Sequence, residues 1–171
     1  MIPAPPGDEW LDLVDDDDTV IGQMLRSEVY AKSLRNFRAV NLFVRNARGE
    51  LWTPVRGPNK RRWPNAMDIS MGEHVQAGET YYEALLRGAR EELNLDAGAA
   101  VLLGACSPKA DGVFDFMQVY ELRADETPNY NPEDFSGAEW LMPEEVMRRL
   151  EAGEPSKEDL PILLRKYYLT K

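Results

Sequence analysis

Short stretches of alternating apolar and polar residues, separated by turn-forming clusters, open the chain. Trp10 to Val14 and Thr19 to Leu25 flank the run Asp15-Asp16-Asp17-Asp18 in the pattern of a β-hairpin. Ser27 to Leu34 has the spacing of a short helix. Ala39 to Arg45 and Glu50 to Arg56 alternate again around Asn46-Ala47-Arg48-Gly49, which predicts a second hairpin. Gly57 to Asp68, with Pro58 and Pro64, reads as a loop. The period then changes. Over Thr80 to Leu93 the residues Ala84, Leu85, Ala89 and Leu93 form one apolar stripe, Thr80-Tyr81-Tyr82-Glu83 fits a capping box, and Asn94 suits a left-handed helix end.

Beyond this helix, Ala100 to Ala105 and Val113 to Leu122 predict strands, followed by a polar loop to Phe135, a short strand at Ala138 to Leu141, and helices near Glu144 to Leu150 and Leu160 to Tyr168. Mixed strands with one central and one C-terminal helix predict an α/β (α+β) protein built as an α/β/α sandwich on a mixed sheet. A chain of 171 residues supports one well-buried core. Residues 1–171 are therefore read as a single domain, with 1–36 as an N-terminal extension of hairpin and short helix and 37–171 as the core.

Charge narrows the possible partners. Twenty Lys and Arg against 30 Asp and Glu give a formal charge of −10, which opposes binding to nucleic acid or to an anionic membrane. An anionic small substrate would need a bound cation. The single cysteine, Cys106, cannot form an internal disulfide and reads as a small buried residue. Met1 to Trp10 has no apolar stretch like a signal peptide, and the longest apolar runs are too short to span a bilayer, so the expected location is cytoplasmic.

Candidate chemistry gathers on and before the central helix. Arg87 and Glu91 are one turn apart, and Glu91 and Glu92 are adjacent. Neighbouring carboxylates on one rigid element repel unless a cation or proton intervenes, and hard oxygen ligands suit magnesium held together with substrate phosphates. Gly72 to Glu79 reads as a glycine-containing loop feeding into these acids, with backbone groups available to a metal and phosphate. The bland alternative is an amphipathic surface helix with exposed ion pairs. Lys60, Arg61 and Arg62 form the only dense basic cluster, a candidate phosphate-facing rim or simply a solvated loop. His74, the single histidine, is a candidate metal or phosphate contact or a locally packed loop residue. The four aspartates of the first hairpin are either a cation site or a solvated turn.

Gly72-Glu73-His74-Val75-Gln76-Ala77-Gly78-Glu79, seven further residues, and Arg87-Gly88-Ala89-Arg90-Glu91-Glu92-Leu93-Asn94-Leu95 together resemble the box of the Nudix hydrolase family. That box reads glycine, five residues, glutamate, seven residues, Arg-Glu, an apolar residue, any residue, Glu-Glu, any residue, glycine, apolar. Glu79, Arg87, Ala89, Glu91, Glu92 and Leu95 match in register. Glu73 stands where the box opens with glycine, Gly88 replaces the glutamate after the arginine, and Asn94 replaces the late glycine; Gly72, one residue early, is expected to keep the loop flexible. Arg61 to Asp68, Glu133 to Trp140 and Trp10 to Arg26 further resemble Nudix proteins close to isopentenyl diphosphate isomerase. The cysteine of that isomerase aligns with Gly72, whereas its histidine position is His74.

The resemblance implies a Nudix fold with Glu92, Glu91, Arg87 and Glu79 as catalytic residues. Glu91, Glu92 and the Gly72 carbonyl would hold Mg2+, with Mn2+ as an alternative ion; Arg87 would orient a carboxylate and Glu79 would support the loop–helix junction. Lys60, Arg61, Arg62 and His74 are the expected substrate contacts. With Gly88 in place of a glutamate, the general base would come from Glu83, Asp111, Asp115 or Glu133. Trp63, Tyr81 and Phe114 are candidates for stacking on a base or for the core. The expected activity is Mg2+-dependent cleavage of a diphosphate linkage in a nucleoside di- or triphosphate or related nucleotide derivative, giving a monophosphate. The rival readings are a nucleotide-binding module without catalysis and an isoprenoid diphosphate isomerase.

Overall fold

The structure, a computed structural model, describes residues 2–169. A six-stranded mixed sheet forms its centre. Strand β3 (Arg38–Arg45) is flanked by the parallel strand β7 (Phe116–Arg123), with β6 (Val101–Cys106) beyond it; on the other side β4 (Leu51–Arg56) is followed by β8 (Phe135–Leu141). Six of the eight β3 residues are buried, because this strand is covered on both faces.

Alternate residues of the sheet enter two separate cores. Val40, Leu42, Val44, Trp52, Tyr120 and Leu122 face helix α2 (Tyr81–Leu93) through Ala84, Leu85, Ala89 and Leu93. Phe43, Leu51, Met117 and Val119 face the other way, against α4 (Pro143–Glu151) and α5 (Asp159–Tyr167). This is the α/β/α sandwich that the patterning predicts. The short helix α3 (Pro108–Asp111), capped by Ser107, links β6 and β7; residues 113–115, read from sequence as the start of β7, precede it as a loop.

Two expectations are corrected. The second hairpin is paired only at its turn: β3 and β4 meet at Arg45 and Leu51 and then diverge, because β5 (Met71–His74) pairs with β3 over Ala39 to Leu42. Gly72, Glu73 and His74 therefore belong to a strand rather than to a loop. Glycine at 72 serves close packing, not flexibility: a Cβ there would stand 2.9 Å from Asn41 Oδ1 and 3.1 Å from Lys157 Nζ.

The N-terminal segment folds as β1 (Trp10–Val14), β2 (Val20–Leu25) and α1 (Arg26–Ala31) and packs on the core through Leu11, Val29 and Phe37. It grips the segment before α2. Ala77 N–H donates to the Trp10 carbonyl at 2.8 Å, and Gly78 N–H to Asp12 Oδ2 at 2.9 Å. The aspartate run is a turn with structural partners: Asp15 accepts from Asp17 and Thr19, Asp16 pairs with Lys109, and Asp18 pairs with Arg38. Among the described residues no helix is long and apolar enough to cross a membrane.

Candidate active site

Helix α2 starts where its sequence specifies. Thr80 Oγ1 accepts from Glu83 N–H at 3.2 Å, and the Glu83 carboxylate accepts from Thr80 N–H at 2.8 Å, a complete capping box; Asn94 closes the other end at φ 51°. The apolar stripe enters the core, Arg87 reaches β5, and Glu92 lines the cleft beside it.

Arg87 ties three segments together. Its Nε and Nη2 each lie 2.9 Å from the Glu79 carboxylate in a two-point pair, Nη2 also donates to the His74 carbonyl at 2.8 Å, and Nη1 is 3.5 Å from both Glu73 Oε2 and Glu91 Oε2. These contacts raise the guanidinium further above its already high range, the Glu79 bond contributing most. Glu79 in turn accepts from Gln76 N–H at 2.9 Å, so the pair locks the turn between β5 and α2.

The acids differ in surroundings. Glu91 is largely exposed, whereas Glu92 lines the cleft, and among the described residues no donor pairs with its carboxylate. Burial, then the charge of Glu73, then that of Asp134, push the Glu92 carboxyl well above the usual carboxylate range, with Lys60 opposing. Glu73 is also raised, chiefly by burial. Added positive charge would favour the ionised forms of the two raised carboxyls, Glu73 and Glu92, and carboxylate oxygens are the donors a hard divalent cation takes. By this test the residues present suit magnesium.

The cleft has a volume of about 690 Å³ and a basic rim. Lys60, Arg61 and Arg62 all line it, together with Gly72, His74 and Glu92. Lys60 is paired with Asp134; Arg61 is exposed; Arg62 lies over the rings of Phe114 at 4.1 Å and Tyr30 at 5.2 Å, with Glu158 3.3 Å away. His74 is placed differently from the expectation of a substrate contact. Its Nδ1 is 3.0 Å from Glu9 Oε1 and its Nε2 2.8 Å from the Tyr30 hydroxyl, so both nitrogens fasten the extension to β5 and neither is left for a phosphate.

A recess of about 110 Å³ opens off the cleft beneath Arg62, walled by Tyr30, Trp63, Phe114, Asp115, Lys157 and Asp159. Burial raises the Asp115 carboxyl to about 7 against the pull of Lys157, and its buried Oδ1 has no hydrogen-bond partner among the described residues. Burial alone would lower the Lys157 ammonium, but Asp68, Asp159 and Asp115 more than offset it.

The other acids considered as bases separate clearly. Glu83 is committed to the helix cap, and Asp111 to Ser107 and Lys166. Glu133 is exposed; the acid that its loop brings to the cleft is the neighbouring Asp134. Tyr81 lies away from the cleft, its hydroxyl on Asp18 and its ring under Arg38, while Phe114 and Trp63 do line the recess. Sequence reading missed Arg26 and Tyr30 on α1, Arg56 and Asp68, which pair at 2.6 Å, and Lys157.

A mixed sheet between helical layers, with the Glu79–Arg87–Glu91–Glu92 element running from strand to helix at one cleft, defines the Nudix class of fold. The family model of the NUDIX domain matches residues 35–161. A Nudix hydrolase of Deinococcus radiodurans is 50% identical over 163 residues, covering 94% of this chain and 95% of that protein. The Nudix hydrolase all7351 of Nostoc sp. is 49% identical over 162 residues, covering 94% and 96%. The crystal structure of DR0079 from D. radiodurans superposes with a TM-score of 0.89 at 49% identity, covering 94% of this chain and 99% of that one. An isopentenyl-diphosphate Delta-isomerase of Paenarthrobacter aurescens is similar at 28% identity over 141 residues. The chain belongs to the Nudix hydrolase family.

Proposed function

We propose that the chain hydrolyses a diphosphate linkage in a nucleoside di- or triphosphate, or a related nucleoside diphosphate derivative, in a magnesium-dependent reaction that releases a nucleoside monophosphate. The observation that carries this reading is the cleft itself, which is lined both by the carboxylates of Glu73 and Glu92 and by the side chains of Arg26, Arg56, Lys60 and Arg61. Its volume, about 690 Å³, lies in the range of small-ligand sites. A polyanionic chain entering it would meet acids suited to a cation and a basic rim in which Lys60 and Arg56 are held by Asp134 and Asp68 and Arg61 is exposed.

In this reading Glu91, Glu92 and the Gly72 carbonyl hold magnesium, with manganese as a substitute. When bound, the ion screens the phosphate charge and makes the attacked phosphorus more electrophilic. Lys60, Arg61 and Arg62 draw the phosphate oxygens to the rim, Arg87 and Glu79 keep β5 and α2 in register, and the Phe114–Tyr30 recess takes an aromatic group in place of the Arg62 guanidinium. Water forms the new bond to phosphorus, the bridging P–O bond breaks, and the water proton passes to a cleft carboxylate. Isomerase chemistry is disfavoured by Gly72: a cysteine there would place its Cβ 2.9 Å from Asn41 Oδ1.

The test is release of phosphate and pyrophosphate from a panel of nucleoside di- and triphosphates, nucleotide sugars and dinucleoside polyphosphates, with and without magnesium. The expected result is magnesium-dependent monophosphate formation from at least one class. Tight nucleotide binding without turnover of any of them would replace the hydrolase reading with that of a binding module.

A further inference from the structure

The two changes that flank Arg87 in space, glutamate at 73 and glycine at 88, are one exchange in three dimensions. A Cβ built on Gly88 would stand 2.9 Å from Glu73 Cβ, 3.2 Å from Glu73 Cγ and 2.9 Å from Met71 Sδ. Any side chain at 88 and the Glu73 side chain compete for one volume. Glycine within a helix costs about 1 kcal/mol relative to alanine, and here the space it opens on α2 is filled from β5. The same two positions carry the reverse pair, glycine and glutamate, in the family box.

Glu73 is placed to use that space. One oxygen, Oε1, accepts from His74 N–H at 3.0 Å; the other, Oε2, is 3.5 Å from Arg87 Nη1, the nitrogen that also lies 3.5 Å from Glu91. Its side chain is only 17% exposed and lines the cleft beside Gly72 and Glu92. Glu9 and His74 lie close by, with ligand atoms within 4.8 Å of one another and of Glu73, but they are bonded to each other at 3.0 Å. Glu73 is thus the carboxylate of this group that shares Arg87 Nη1 with Glu91 and whose charge acts on Glu92.

We propose that Glu73 is a metal ligand of this site, supplying from strand β5 the carboxylate that position 88 of helix α2 cannot supply. The inference rests on the hydrolase reading for the identity of the site, but it is tested on metal binding alone. Glycine at 88 is then the steric condition for the ligand at 73.

The experiment is calorimetric titration of the full chain with Mn2+, without nucleotide, for wild type, Glu73→Gln, Glu73→Gly, Gly88→Ala and the double variant Glu73→Gly/Gly88→Glu, each checked for an intact fold by thermal melting. Glu73→Gln is isosteric and should weaken Mn2+ by about tenfold or more while melting like wild type. Gly88→Ala, which changes no charge, should weaken Mn2+ by displacing Glu73. The double variant should recover affinity that Glu73→Gly alone loses, the flexible Met71 side chain giving way. Mn2+ affinity unchanged in Glu73→Gln overturns the proposal, even if the double variant does not fold; so does a folded double variant that binds no better than Glu73→Gly. If wild type hydrolyses nucleotides and Glu73→Gln binds Mn2+ as wild type does, the ligand assignment falls and the hydrolase stands. If Mn2+ binding responds to Glu73→Gln but no nucleotide is cleaved, the assignment stands and the hydrolase falls. A wild type that binds no Mn2+ overturns both.

Discussion

Arg87 shows how one side chain organises this site. It holds Glu79 at two points, the carbonyl of His74, and the flanks of Glu73 and Glu91, so its position is over-determined by the turn, the strand and the helix together. Spacing made Glu79, Arg87, Glu91 and Glu92 legible in the sequence, because helical period and a fixed loop length convert directly into proximity. The opposite holds for Asp115. Its burial comes from segments distant in sequence, Tyr30, Lys157 and Asp159, and no local pattern announces it. Its carboxyl is raised to about 7 from 3.8, so between those values the folded state binds more protons than the unfolded one and stability falls as pH rises. Asp115→Asn, which cannot ionise, should therefore gain stability relative to wild type on going from about pH 5 to about pH 8. Urea midpoints at the two pH values test this; a relative gain that is larger at the acid end would contradict it.

Among the elements, α2 is the one its own sequence specifies most fully, with cap, apolar stripe and left-handed end all local. Thr80→Ala should lower stability by about 1 kcal/mol through loss of the Glu83 N–H acceptor, read as a shift in denaturation midpoint at unchanged slope. A loss too small to measure would mean that packing alone fixes the helix. Strand β5 was not legible. It has four residues, one of them glycine, and its existence depends on β4 leaving β3 at Leu51 so that Met71 to His74 can take its place. Helix α3 was missed although Ser107-Pro108 carries a cap followed by proline at the first turn, a signal open to sequence reading. The apparent second hairpin misled because alternation reports a buried face but not which neighbour the strand pairs with.

At the scale of the molecule, the sandwich layers followed from the order of elements, while the cleft did not. Its walls come from α1 in the extension, the basic loop after β4, β5, α2 and the loop before β8, and only the packed fold brings Arg26, Lys60, Glu73, Glu92 and Asp134 together. The extension also closes the site from behind through Glu9, Asp12 and Tyr30, which bond His74 and the turn at Gly78. A chain of net charge −10 thus keeps a basic rim in the same cleft as Glu73 and Glu92. The most direct test of this account is turnover of the responsive nucleotide by Glu92→Gln beside wild type at saturating magnesium. The substitution removes a charge but keeps the shape of the side chain. The expected result is a fold that melts like wild type and a loss of turnover of about a hundredfold or more; a Glu92→Gln protein that cleaves the nucleotide at the wild-type rate would contradict it.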